Sequence, residues 1–155
     1  MLVMQELHAV KGLDPVADAF DGTVYSDVVN MEGHHNCLFT IHCGVGATGK
    51  STFTVQACDD VVPTNRSAIP FHYRETLTGD TPGAVTAAAA TGFESTAGSS
   101  KIIEIEIESN ALAASGFGYV QVKAVESVNS PVLGGILVQL FNPRYAKGVA
   151  DSAIV

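Results

Sequence analysis

The sequence predicts an all-β protein: an antiparallel β-sandwich, of jelly-roll or Ig-like type, with seven to eight strands and an extended N-terminal arm. Three observations carry that expectation. Apolar residues recur with period two along most of the chain, the mark of strands with one buried face. Clusters rich in Gly, Ser, Thr, Asn and Pro separate these runs at short intervals. Only two stretches have helical character. With 155 residues, 46% of them hydrophobic, the chain fits one domain that can bury its own core. It divides into an arm at 1–23, a sandwich at 24–145 and a C-terminal tail at 146–155.

In the arm, Gly12, Pro15 and Gly22 break any regular period, while Leu2, Leu7, Leu13, Val16 and Phe20 are apolar and want a surface to lie on. The first strand is expected at Val24–Met31, rich in β-branched and aromatic residues. Cys37–Cys43 puts Cys37, Phe39, Ile41 and Cys43 on one face, and Thr52–Cys58 sets Phe53, Val55 and Ala57 against Thr54 and Gln56. Phe71–Leu77 is a further strand. Ala84–Ala90 is Ala-rich and is the first helical candidate, although it contains Val85 and Thr86. Lys101–Glu108 alternates most strictly, with Ile103, Ile105 and Ile107 facing in and Glu104, Glu106 and Glu108 facing out. That glutamate ladder reads as a solvated face, with Lys123 as a cross-strand partner. Asn110–Ser115 suits one helical turn, capped by Ser109 or Asn110 and stopped at Gly116. Tyr119–Val125 alternates again. Ile136–Phe141 is almost wholly apolar, which predicts a central strand covered on both faces.

Composition excludes several classes. Eight basic against sixteen acidic residues give a net charge of −8, which phosphate repels, so no nucleic-acid partner is expected. Cys37, Cys43 and Cys58 are odd in number, and the first two would lie about 20 Å apart along one strand, beyond disulfide reach. Unpaired thiols in a reducing compartment are expected. The N-terminus lacks a basic start and an apolar run, so no signal peptide is expected, and no stretch approaches the ~18 apolar residues of a membrane span.

One stretch matches a chemical motif letter for letter. Gly44-Val45-Gly46-Ala47-Thr48-Gly49-Lys50-Ser51 fits the phosphate-loop pattern G-x-x-x-x-G-K-[ST]. Such a loop must open a helix, whose N-terminus supplies part of the field that holds phosphate. Here Ser51–Cys58 is β-branched and alternating, so the stretch reads as a Gly-rich hairpin turn followed by its return strand. His34, His35, His42, Cys37 and Cys43 do not fall at zinc-ligand spacing along an extended strand. The glutamates of the ladder lie about 6.5–7 Å apart, within the range of an inverting glycosidase pair, but alternation alone produces that spacing. Ser, His and Asp occur in no nucleophile elbow. No enzyme activity, cofactor or metal is expected.

Several phrases then stand out together: Phe20-Asp-Gly-Thr-Val-Tyr-Ser-Asp-Val-Val-Asn-Met31, Ser67-Ala-Ile-Pro-Phe-His-Tyr-Arg74, Gly116-Phe-Gly-Tyr-Val-Gln-Val-Lys-Ala124, Ser130-Pro-Val-Leu-Gly-Gly-Ile-Leu-Val138 and Pro143-Arg-Tyr145. Across Phe20 to Tyr145 the chain resembles the head-decoration, or cement, proteins of tailed bacteriophages and prophages. The resemblance carries over no functional residues. It implies a non-enzymatic β-sandwich on the outer capsid surface, made in the host cytoplasm. It further implies that the protein bridges neighbouring major capsid subunits and self-associates, with a trimer favoured. A tail or host-surface adhesion module on the same sandwich is the alternative. In either case Leu2, Leu7, Val16 and Phe20 of the arm, and Phe141, Arg144 and Tyr145 near the C-terminus, are the expected assembly contacts, being apolar or stacking groups in segments without strand period.

Overall fold

The structure, a computed structural model, describes residues 3–46, 48–77, 81–97 and 100–145. A single 3-10 turn at Val3–Gln5 leads into twelve strands and one helix among these residues. The strands are β1 (His8–Val16), β2 (Thr23–Tyr25), β3 (Val29–Asn30), β4 (His34–Gly46), β5 (Lys50–Cys58), β6 (Arg66–Ile69), β7 (Phe71–Thr76), β8 (Thr86–Ala88), β9 (Phe93–Glu94), β10 (Lys101–Glu108), β11 (Tyr119–Val128) and β12 (Val132–Pro143). The helix, α1, spans Ser109–Ser115 between β10 and β11.

The strands form two six-stranded layers. One runs β1-β12-β4-β10-β7-β8; the other runs β2-β11-β5-β6, with β3 on β11 and β9 on β5. Each ladder between named strands is antiparallel. The first strand pairs antiparallel with the last, which an Ig-like order does not do. Apart from β3, β7, β8 and β9, the order β1-β12-β4-β10 facing β2-β11-β5-β6 is that of a jelly roll. The sandwich is therefore all-β as the alternation required, and the strand order selects between the two topologies left open.

The core lies between the layers and is built from the inward half of each alternating strand. Phe39 and Ile41 from β4, Ile103, Ile105 and Ile107 from β10, and Val138 and Leu140 from β12 meet Phe53 and Val55 from β5 and Val120 and Val122 from β11. An aromatic chain extends it: Phe20 stands edge-on to Phe53 at 5.5 Å, and Phe53 lies 5.8 Å from Phe93, whose ring stacks on Tyr73. Gly92 turns the chain into β9 at φ +81°, and a Cβ there would stand 2.1 Å from the Phe53 carbonyl oxygen. Only glycine permits that approach.

Several expectations are corrected. Residues 8–16 of the expected arm form an edge strand on β12, so the arm lies on its own domain, and Phe20, expected as an assembly contact, is buried in the core. Val24–Met31 splits into β2 and β3 because Ser26 interrupts it. The Ser26 N–H donates to the Val122 carbonyl at 2.8 Å, and its hydroxyl accepts from the Val122 N–H at 2.9 Å. Ala84–Ala90 is not helical: Thr86–Ala88 pairs with the open edge of β7, a backbone demand that outweighs alanine propensity. Helix α1 has the expected stop at Gly116 (φ 79°), but Glu108 occupies the N-cap position with no side-chain cap bond. Lys123 sits in the other layer from the glutamate ladder; Arg74 on β7 opposes Glu104 instead, through a bidentate pair. Strand β12 is central, but only one of its faces is covered: Leu133 and Leu137 remain 43% and 44% exposed.

All three cysteines are free and buried. Burial pushes each thiol pKa up, that of Cys58 to about 11, so the thiolate is scarce at neutral pH. A disulfide-exchange reagent at pH 8 is expected to leave the native thiols unmodified and to titrate all three once denaturant is added. Fast modification of the native protein would contradict the burial.

His34, at the start of β4, is 2% exposed. Burial, and then the neighbouring His8, hold its pKa below the ordinary imidazole value. The unfolded chain therefore binds the proton more readily. The stability this group contributes is full above the unfolded value near 6.5 and is lost as pH falls through that value toward the folded one. The melting temperature is expected to drop between pH 7 and pH 5. His34→Gln should flatten this part of the profile, and an unchanged slope would refute the assignment.

Candidate functional site

The phosphate-loop match lies where β4 gives way to β5. Gly44, Val45 and Gly46 belong to the end of β4 and Lys50 opens β5, so the segment carries the chain from one layer to the other. The expected hairpin is thereby corrected, since β4 and β5 do not pair; an extended strand does follow the motif, as the alternation required. The glycines have a packing reason. A Cβ on Gly49 would stand 2.3 Å from the Ser130 carbonyl oxygen, so the crossing lies flat against the approach to β12. Ser51 is buried, its N–H donating to the Ser95 hydroxyl at 3.2 Å and its carbonyl accepting from the Ser95 N–H at 2.9 Å. Lys50 reaches Glu94 at 3.4 Å. The Lys50 ammonium thus has a carboxylate partner, and the Ser51 backbone is tied to Ser95 beside β9.

The titratable groups are dispersed. His42 faces outward from β4, His72 lies exposed on β7, and His35 contacts Ser109 at 3.5 Å. Among the described residues no three His, Cys, Asp or Glu side chains gather as a metal site. The glutamate ladder is partnered, with Arg74 on Glu104 and the Asn36 amide donating to Glu106 at 3.0 Å. Asp59, whose carboxyl is held well below its ordinary range, is occupied in folding its own loop: it accepts from Thr64 and Asn65.

One buried ion pair is unexpected. Lys101 is 4% exposed at the start of β10, and its ammonium donates to the Thr96 carbonyl and hydroxyl. Glu75 on β7 lies 3.7 Å away and also accepts from the Thr96 N–H at 3.0 Å. The lysine closes the rim of the core between the layers.

A concavity of about 510 Å³ lies on the outer face of the β1-β12-β4-β10 layer, lined chiefly by Leu13, Pro15, Ile102, Leu133 and Leu137, with His42 at one side. The charged residues lining it are Lys11 and Asp14, which pair with each other at 3.0 Å. Sequence reasoning missed this face because an apolar run does not say which of its sides has a cover.

The expected assembly residues differ in exposure. Leu2 lies outside the described residues. Leu7 is half-buried, Val16 is 48% exposed at the end of β1, and Phe20 is enclosed by the chain's own core. Phe141 is half-buried near the end of β12. Arg144 continues that ladder, its N–H donating to the Gly33 carbonyl and its Nε to that of His34, and Tyr145 is exposed.

Strand order and surface together define the class: an all-β jelly-roll sandwich with an uncovered apolar outer face. No family model and no curated protein matches the chain. Among solved structures it is similar to the crystal structure of SPBc2 prophage-derived protein YomS, with a TM-score of 0.44 and 12% identity over 90% of this chain and 94% of that one. It is also similar to the structure of infectious bursal disease virus Gx strain, with a TM-score of 0.25 and 10% identity over 89% of this chain and 42% of that one. Neither similarity assigns a partner or an activity. Among the described residues no helix is long and apolar enough to cross a membrane.

Proposed function

We propose that this chain is a non-enzymatic structural protein of a phage virion that sits on the outer capsid and holds neighbouring major capsid subunits together. The observation that carries the reading is the placement of bare apolar side chains at both ends of the sandwich. Val45 precedes β5 and is 78% exposed; Val62 follows it and is 73% exposed. A nine-residue strand separates them, which is about 30 Å at the usual rise per residue. Tyr145, 73% exposed, adds a third such group. Separated weak contacts suit a bridging role, because each engages the next at high effective concentration. The rigid two-layer scaffold fixes their spacing, and a net charge of −8 favours a position away from packaged genome. The resemblance to head-decoration proteins points the same way.

The test is co-sedimentation of the purified chain with heads that lack it. Occupancy and heat resistance of the heads should rise together, and Val45→Asp with Val62→Asp should reduce both. Binding to tails or to host cells, without binding to heads, would reject the capsid reading in favour of an adhesion module.

A further inference from the structure

We propose that the apolar outer face of the β1-β12-β4-β10 layer is an isologous interface for a second copy of this chain. The register supplies the argument. Lys11, Leu137, Thr40 and Glu104 occupy one row across these four strands. The next row holds Gly135, His42 and Ile102, with Pro15 packed over Gly135. A two-fold axis running along the strands between β12 and β4 places β1 of one copy over β10 of the other. Lys11 then faces Glu104, Pro15 faces Ile102, and Leu137 faces Thr40, each contact being made twice.

Charge selects this occupant. Two copies of net charge −8 repel over most of their surfaces. In these two rows Lys11 pairs with Asp14 and Arg74 pairs with Glu104, so the charges there offset each other; Glu106 lies one row further along and accepts from the Asn36 amide. Under the two-fold, a basic group on the β1 side meets an acidic group on the β10 side, which is complementarity of a chain with itself. Leu133, Leu137 and Ile102, at 43%, 44% and 36% exposure, supply apolar surface that nothing else in the described structure covers.

Sedimentation equilibrium of the purified full chain tests this independently of capsid binding. A dimer that dissociates on dilution is expected. Leu137→Lys should leave a monomer with unchanged circular dichroism and melting temperature. Lys11→Glu should raise the dimer dissociation constant about tenfold or more. Combining it with Arg74→Glu and Glu104→Arg, which keeps the internal ion pair and turns its sign, should restore association. Three outcomes overturn the proposal. One is a monomer at every concentration, whether the groove takes a small apolar molecule or residues 146–155 of its own chain. The second is a trimer or dimer whose mass ignores Leu137→Lys. The third is a triple variant that fails to recover while remaining folded.

Discussion

Phe53→Ala is expected to lower the free energy of unfolding by about 3–5 kcal/mol, the range for removing a large aromatic from a packed core. Phe53 is 1% exposed and stands between Phe20 and Phe93, so its loss opens a void and also removes its ring contacts with both. Domains have total stabilities of about 5–15 kcal/mol, so the change is a large share of the whole. For a chain of this size it corresponds to a fall of about 6–20 °C in melting temperature. Urea titration followed by circular dichroism reads it directly. Phe53→Leu, which keeps most of the volume, should cost far less. A Phe53→Ala protein within about 1 kcal/mol of wild type would mean that the aromatic chain does not join the layers as described.

Glu75→Ala is the second large effect. It leaves the Lys101 ammonium buried with only the Thr96 oxygens as partners. Breaking a buried pair from one side costs about 3–5 kcal/mol, whereas replacing both partners by apolar groups of similar size is often neutral. Glu75→Leu combined with Lys101→Met should therefore recover most of the loss. Additive costs in the double variant, measured by the same urea titration, would show that the two side chains act separately.

How far the sequence could be read depended on how strictly each segment alternated. Strand β10 is found at Lys101–Glu108, where the isoleucine–glutamate alternation placed it, because from Ile103 to Glu108 every inward position is apolar and every outward one charged. Strand β1 was illegible: Gly12 and Pro15 break its period, register shifts interrupt its ladder, and its partner is β12, at the far end of the chain. Strand β8 was misread because alanine favours helix locally while the open edge of β7 accepts any backbone. The buried Lys101 carried no signal at all, since its environment is made by Glu75 and Thr96 from other segments. The apolar groove was hidden for a related reason. Leu133 and Leu137 look like core residues in sequence, and only the lack of a covering layer leaves them exposed.

By itself, then, the sequence determined which side chains face inward along the strictly alternating strands and that an extended strand, β5, carries the chain on from Lys50. Period two fixes the face of each residue through local geometry alone. Tertiary structure decided which layer each strand joins, including the separation of β4 from β5, and so the jelly-roll order. Ladder hydrogen bonds use the same backbone groups at every residue. The choice among pairings is therefore made by how the apolar faces pack across the whole molecule, and no local stretch of sequence contains that information.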